Sequence, residues 1–343
     1  MNWIKPKFSR SAIRRAGEIL LSDNVLEHYQ AYDVLNNWRA SHSFPLNTIQ
    51  MRLRRFSIVR DKDALIAQRL KRVPTILDKL KRFPCMSLER MQDIGGCRAI
   101  VQSIETVYQI KNDFENSRIK HKKVNVKDYI KSPKSSGYRG IHLVYKYHSD
   151  RNCTYNGLLI EIQLRSKLQH AWATAVETVG TFIKYSLKSS IGPEEWLHFF
   201  KLISSAFANM EKSIIVPGTP EKKTELRYAI KHLEKQLEVR RRLNAYSRLV
   251  KAIETSDIYA YYIILLLKAK SNELQVFTFN KNELEIASNK YIEYEKRLSA
   301  ETGDDVVLVA MDSIERLREA YPNYFLDTKL FVQYLEEYLR SSD

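Results

Sequence analysis

Two stretches near the middle of the chain alternate apolar and polar positions: Gly140 to Tyr147 (GIHLVYKY) and Gly157 to Arg165 (GLLIEIQLR). A period of two marks a half-buried strand. In the second stretch it gathers Glu161, Gln163 and Arg165 on one polar face. Asp93 to Gln102 (DIGGCRAIVQ) reads as a turn entering a third strand, with Ala99, Ile100 and Val101 in a core and Gly95 and Gly96 allowing close backbone approach. Ile119 to Lys127 (IKHKKVNVK) reads as an edge strand, its lysines guarding against edge pairing.

Around these strands the period lengthens to that of helices. Residues 9–40 predict two helices, the second with a stripe of Leu26, Tyr29, Val34, Leu35 and Trp38. Others are predicted at about Asn47 to Val59, after a linker ending at Pro45, and at Ile104 to Ser117, Ser166 to Lys188, and from Pro193 through Trp196, Phe199, Phe200, Ile203 and Phe207. Pro217, Gly218 and Pro220 interrupt the pattern, which places a linker there. A charged helix follows over Glu221 to Thr255. From about Ser256 the texture changes to a compact module: strands at Ile258 to Lys268, Leu274 to Phe279 and Asp305 to Ala310, and helices at Glu283 to Leu298, from Ser313, and near Asp327 to Leu339. The expectation is an α+β chain divided into 1–215, a connecting helix at 216–255, and a module at 256–343.

Composition narrows the function. The formal charge is +16, from 56 Lys and Arg against 40 Asp and Glu, which points to a polyanionic partner: nucleic acid first, phosphorylated nucleotides second. Residues 51–82 are the most basic window, with eleven Lys and Arg against three Asp. Within it Arg69 and Lys71 precede a short helix opened by Pro74, on which Thr75 and Lys79 share a face. A helix start preceded by cations suits a triphosphate. The three cysteines, Cys85, Cys97 and Cys153, include no CxxC pair, so neither a disulfide framework nor a zinc site is supported and a reducing, cytoplasmic location is expected. No apolar run is long enough to span a bilayer, so no membrane partner is expected.

The densest chemistry lies between the strands, in Lys127 to His142 (KDYIKSPKSSGYRGIH). Pro133, Gly137 and Gly140 exclude a helix, while Lys127, Lys131, Lys134 and Arg139 supply charge and Tyr138 supplies a ring that a loop can present. Asp93 and Glu161 would give two carboxylates for a divalent metal, and Mg²⁺ needs only one or two beside substrate phosphates. A non-catalytic nucleotide- or nucleic-acid-binding module would need no such pair.

RLKRVPTILDK (Arg69 to Lys79), MQDIGGCRAI (Met91 to Ile100), DYIKSPKSSGYRGIH (Asp128 to His142) and EIQLRSKLQHAWATAVE (Glu161 to Glu177) together resemble the synthetase domain of the RelA/SpoT family. The resemblance implies a mixed-sheet, nucleotidyltransferase-like domain flanked by helices, and a pyrophosphokinase that uses ATP and Mg²⁺ to modify a ribose 3′-hydroxyl. Carried onto this sequence, it implies Arg69, Lys71, Thr75, Lys79 and Arg98 for ATP and Asp93 and Glu161 for metal and catalysis. For the acceptor it implies Tyr138 as the stacking ring, with Lys134, Arg139, His142, Gln163, Arg165 and His170 around it. GYRGIH and the MQDIGG form are most similar to toxic small alarmone synthetases of the CapRel fused toxin–antitoxin type, some of which modify the 3′ CCA end of tRNA. That resemblance implies a pseudo-zinc-finger-like C-terminal module whose Tyr321 and Tyr324 cover the ATP site until a phage protein binds. Two acceptors stay open: the 3′ end of tRNA, or a guanine nucleotide as in an ordinary (p)ppGpp synthetase.

Overall fold

The computed structural model describes residues 3–22, 25–182, 187, 192–240, 243, 261–268, 273–297, 305–310 and 328–341. Helices α1 (Arg10–Ile19), α2 (Val25–Ser41) and α3 (Ser43–Arg60) lead into strand β1 (Leu65–Leu70) and helix α4 (Val73–Arg82). Then come β2 (Gly95–Val101), α5 (Ile104–Asn116), β3 (Lys122–Asp128), β4 (Ile141–Lys146) and β5 (Leu159–Ser166). The order within the sheet is β1-β2-β5-β4-β3. Only β2 and β5 run parallel; their neighbours are antiparallel, so the sheet is mixed and the chain α+β.

One face of this sheet is a core. Leu46, Ile49 and Leu53 of α3 and Val107, Ile110 and Phe114 of α5 pack on Cys97, Ala99, Leu143, Tyr145, Ile160 and Ile162. The alternation read in β4 and β5 leaves the opposite face polar. α3 begins four residues earlier than its apolar spacing predicts and takes Pro45 into its first turn, where a missing N–H costs nothing. The lysine-rich β3 is the edge strand, as its sequence suggests.

β1 was not expected as a strand. Leu65, Ile66 and Ala67 are buried, but they sit inside the most basic window, whose charge hides the short apolar run from Ala64 to Ala67.

After β5 the chain enters α6 (Lys167–Phe182), α7 (Glu194–Met210) and α8 (Lys223–Leu237). α8 ends at a left-handed residue, Glu238, after which Val239 and Arg240 are helical again; most of the rest of the predicted span to Thr255 lies outside the described residues. A second sheet follows, ordered β7-β6-β8 and antiparallel throughout, from β6 (Tyr262–Lys268), β7 (Glu273–Phe279) and β8 (Asp305–Ala310). α9 (Leu284–Arg297) covers it through Tyr291. The last described helix, α10 (Lys329–Arg340), leaves that sheet and joins α6–α8: Phe331, Val332 and Leu335 share a cluster with Trp172, Phe199, Phe200, Phe207, Leu226 and Ile230. Its apolar stripe is legible in the sequence, but not which layer it faces. The predicted helix from Ser313, and Tyr321 and Tyr324, lie outside the described residues.

Candidate active site

Strand register builds the site. Across the sheet, Arg98 of β2 is opposite Gln163 of β5, Gln163 is opposite His142 of β4, and His142 is opposite Lys127 of β3. The neighbouring row runs from Arg69 of β1 through Gly96 to Glu161. Successive side chains alternate faces, so Arg69, Arg98, Glu161, Gln163, His142 and Lys127 share the face away from the α3/α5 core. Glycine at Gly95 permits the tight β2–β5 packing, since a β-carbon there would fall 2.8 Å from Ile160 Cδ1.

At the start of this face a cationic cradle closes on Asp93. Lys71 Nζ donates to Asp93 Oδ2 at 3.0 Å, and Lys79 Nζ to Oδ1 at 2.8 Å. Lys71 follows β1, Lys79 lies on α4, and Thr75 is in the first turn of α4. Burial opposes ionisation of Asp93, but the two ammonium groups outweigh it and hold the carboxyl below its usual range. Burial lowers the Lys71 pKa, with Asp93 opposing and Lys79 and Arg69 reinforcing.

Beyond the cradle five side chains form a closed hydrogen-bonded ring. Glu161 Oε1 meets His142 Nδ1 at 3.0 Å, and His142 Nε2 meets the Tyr138 hydroxyl at 2.5 Å. Arg165 Nη2 donates to that hydroxyl at 2.9 Å and to Gln163 Oε1 at 3.1 Å. Gln163 Nε2 donates back to Glu161 Oε2 at 2.7 Å. A neutral His142 with its proton on Nδ1 satisfies every link: Nδ1–H donates to the carboxylate, and Tyr138 donates to Nε2 while accepting from Arg165. Burial works against charge on Glu161, but His142, Gln163 and Lys79 together depress its pKa far below the ordinary carboxylate value. Burial likewise opposes a charged His142, yet Tyr138 and Glu161 raise its pKa.

The structure does not present Tyr138 as an open platform. The ring is 4% exposed and stands edge-on to Trp172 and Tyr129. Its loop is held by α7, where Ser204 donates to the Gly137 carbonyl at 2.5 Å, and Trp172 of α6 is itself fixed to α7 by its Nε1 donating to the Phe200 carbonyl at 2.8 Å. Gly137 has φ +92°, and a β-carbon there would meet Ser204 and Trp172 at 3.0 Å. The half-buried ring of Tyr129 lies beside it, with Lys134 Nζ 4.6 Å from its centroid and 5.2 Å from that of Tyr138.

Arg139 is not brought to the acceptor side. It is buried, and its guanidinium pairs with Glu211 at 3.0 Å and donates to Ser213 Oγ at 2.5 Å. Ser166 and Gln169 also donate to Glu211. Glu211 was missed by sequence reasoning, because nothing local marks a carboxylate just past α7 as the partner of a loop arginine 72 residues earlier. His170 is buried in the first turn of α6.

Asp93 and Glu161 are hard oxygen donors close enough for each to disfavour the other's charge. That fits a divalent cation completed by substrate phosphates. Among the described residues no group of three or more His, Cys, Asp or Glu could hold a metal alone.

Residues 68–186 match the family model described as a region found in RelA / SpoT proteins. GTP pyrophosphokinase YjbM of Bacillus subtilis (strain 168) is 35% identical over 123 residues, covering 35% of this chain and 57% of that relative. GTP pyrophosphokinase YwaC of the same organism is 29% identical over 161 residues, covering 41% and 73%. The chain therefore spans little more than half the length of the first of these. Among solved structures, small alarmone synthetase 1 from Bacillus subtilis bound to its product pppGpp superposes with a TM-score of 0.44 at 23% identity, over 54% of this chain and 94% of that one. The small alarmone synthetase 2 structure from that organism gives 0.44 and 23%, over 51% and 93%. Residues 68–186, the segment that matches this family model, contain both the cradle and the ring.

Proposed function

We propose that the chain transfers the terminal pyrophosphate of ATP to the ribose 3′-hydroxyl of a nucleotide acceptor. The acceptor oxygen attacks the β-phosphorus, the bond between the α- and β-phosphates breaks, AMP leaves, and the hydroxyl proton is lost. The observation that carries this reading is the register that sets Arg69, Arg98 and the Lys71–Asp93–Lys79 cradle on the same sheet face as the Glu161–His142 pair.

Transfer of this kind depends mainly on positioning and charge neutralisation. Arg69, Lys71, Thr75, Lys79 and Arg98 would hold the triphosphate. Asp93 and Glu161 would hold Mg²⁺, which when bound supplies charge neutralisation at the phosphates. The depressed pKa of Glu161 keeps it ionised, which suits ligation and orientation of the hydroxyl better than proton abstraction near neutral pH. His142, Gln163 and Arg165 fix its orientation, and Lys134 and Tyr129 line the acceptor side.

For the acceptor, a guanine nucleotide follows from the names of the two relatives. A second reading, the 3′ end of tRNA, is favoured by the +16 charge and by the exposed Lys122, Lys123, Lys127, Lys131 and Lys134 on and beside β3, since a tRNA stem is held through phosphate contacts. With that acceptor the chain would act as a translation-blocking toxin in phage defence, its C-terminal module the antitoxin and a phage protein the trigger. Support for a regulatory module is its position, with β8 along β1 and α9 against the start of α4. A cytoplasmic site of action fits both acceptors, and no described helix is long and apolar enough to cross a membrane.

The test is to incubate the full chain with γ-³²P-ATP and Mg²⁺ and, separately, GDP, GTP and bulk tRNA. Label on GDP or GTP supports the alarmone reading, and label on tRNA the toxin reading. Label on none of them, from the wild type and from a chain with Glu295→Gln, which alters the α9 carboxylate that accepts from the Val73 amide at the start of α4, overturns the transferase assignment.

A further inference from the structure

Two segments meet in the ring around Glu161: the loop that carries Tyr138 and the strand β5 that carries Arg165. They approach closely. At Gly140 (φ +145°) a β-carbon would fall 3.2 Å from the Leu164 carbonyl oxygen, 3.3 Å from Arg165 Cγ and 3.5 Å from the Tyr138 hydroxyl. A small shift of the loop along β5 therefore changes the 2.9 Å bond from Arg165 to Tyr138 directly. The chain neighbours of both residues end on one carboxylate. Arg139, next to Tyr138, pairs with Glu211 Oε2, while Ser166, next to Arg165, donates to Glu211 Oε1. Gln169 of α6 donates to Oε2 at 3.3 Å and accepts from the Ser166 amide at 3.2 Å. Lys212, just beyond α7, takes a left-handed φ of +51°, disfavoured for a residue with a side chain, and Ser213 after it accepts from the guanidinium that Glu211 holds.

Stability alone is a poor account of this cluster. A buried ion pair gains little net stability, because desolvation offsets the attraction. Burial pushes the Glu211 carboxyl up and the Arg139 guanidinium down, and Arg139 Nε is buried without a partner among the described residues. What directional bonds to one carboxylate do supply is a fixed distance between loop and strand. We propose that Glu211 is a positioning residue for the transfer: through Arg139 and Ser166 it holds the Tyr138 loop against β5, and so aims Glu161 at the acceptor hydroxyl. This rests on the transferase reading above and adds a residue outside the matched residues 68–186. Among the described residues Glu211 bonds to Arg139, Ser166 and Gln169, and to no member of the ring or the cradle. Its effect travels from Arg139 to the Tyr138 hydroxyl, from there to His142 Nε2, and through His142 Nδ1 to Glu161. The Lys71–Asp93–Lys79 cradle is bonded within itself, so ATP binding is spared.

The experiment follows label from γ-³²P-ATP with Mg²⁺ into whichever of GDP, GTP and tRNA accepts it, and separates kcat from the KM for ATP. Glu211→Gln is expected to lower kcat by about 10–100-fold, the scale of a misplacement by up to about 1 Å, with the KM for ATP unchanged. Glu211→Asp, which keeps the charge, is expected to recover part of that loss. Glu211→Gln strands a buried cation, so the deciding chain carries Arg139→Met with Glu211→Leu, an apolar pair of the kind such sites tolerate. It should keep the wild-type thermal midpoint and the lowered kcat. Wild-type kcat in that double variant overturns the proposal, as does a loss in Glu211→Gln that falls on the KM for ATP. Magnetic resonance of ¹⁵N-labelled histidine at one fixed pH reads the ring without turnover: the His142 ring signals should shift in the double variant, and unmoved signals also overturn the proposal. If the wild type and Glu295→Gln label no acceptor, the transferase reading fails and the histidine signals still decide the positioning. If the wild type transfers and the variants match it, only the positioning fails.

Discussion

Replacing Tyr138 with phenylalanine separates two pictures of the acceptor loop. The change removes one oxygen and leaves the ring's packing on Trp172 and Tyr129 intact. In the structure that oxygen accepts from Arg165, a side chain 1% exposed, and contacts His142 Nε2 at 2.5 Å. A hydrogen bond to a buried charged group contributes about 1.5–3 kcal/mol, and a neutral one about 0.5–1.5. Arg165 keeps its second acceptor on Gln163, which tempers the sum. The expected loss for Tyr138→Phe is about 2–4 kcal/mol, read as a lower urea midpoint with unchanged slope. An open stacking ring whose hydroxyl faces water would lose no more than about 0.5 kcal/mol, as surface substitutions do. A midpoint shift within that band refutes the closed ring. The same variant should lower the His142 pKa, because Tyr138 is among the groups that raise it against burial. The stability contributed by that raised value is complete below the unfolded histidine pKa and is lost as pH rises through the folded one. Tyr138→Phe should narrow this window, which a histidine NMR titration reads directly.

Two further outcomes follow from the cradle and the last helix. Asp93 is depressed by Lys71 and Lys79 against the effect of burial, so its contribution is present above the ordinary carboxylate pKa and is lost as pH falls through the folded value; Lys79→Met should shallow the acid side of a stability–pH curve below the ordinary carboxylate pKa, and an unaltered curve would contradict the pairing. Phe331, fully buried against Phe200 and Phe207, should cost about 3–5 kcal/mol on truncation to alanine and lower the thermal midpoint of the α6–α8 layer and the five-stranded sheet it packs on, whereas a loss confined to the three-stranded sheet would place α10 elsewhere.

Much of the sheet was legible because its strands announce themselves locally. Glu161, Gln163 and Arg165 alternate with buried Ile160, Ile162 and Leu164, and no other period accommodates them. Asp93, Lys71 and Lys79 were legible as candidates through their motif, and the structure brings the three together. What stayed hidden is non-local. Tyr138 reads as a presented ring because Gly137 and Arg139 flank it, but Trp172, on a later helix, buries it. Arg139 reads as an acceptor-side cation until Glu211 claims it. β1 was masked by charge, since Arg69 and Lys71 at its exit drew the window's reading toward the cations that precede α4. The buried Arg39 of α2 gives no signal at all, because its partners Tyr291 and Glu295 lie 252 and 256 residues away.

The placement of α10 bears on how the molecule comes into being. Ribosomes deliver the chain from its N-terminus, and domains settle as their contacts become available. Here the layer that grips the Tyr138 loop lacks Phe331 and Leu335 until translation has passed Arg340, by which point β6 through β8 and α9 have already emerged. The half of a nascent chain that carries the cradle and the ring is thus left unfinished while the second sheet is being made. A cell that truncates synthesis anywhere in the second sheet obtains a fragment with an incomplete core, not a first domain released from its neighbour.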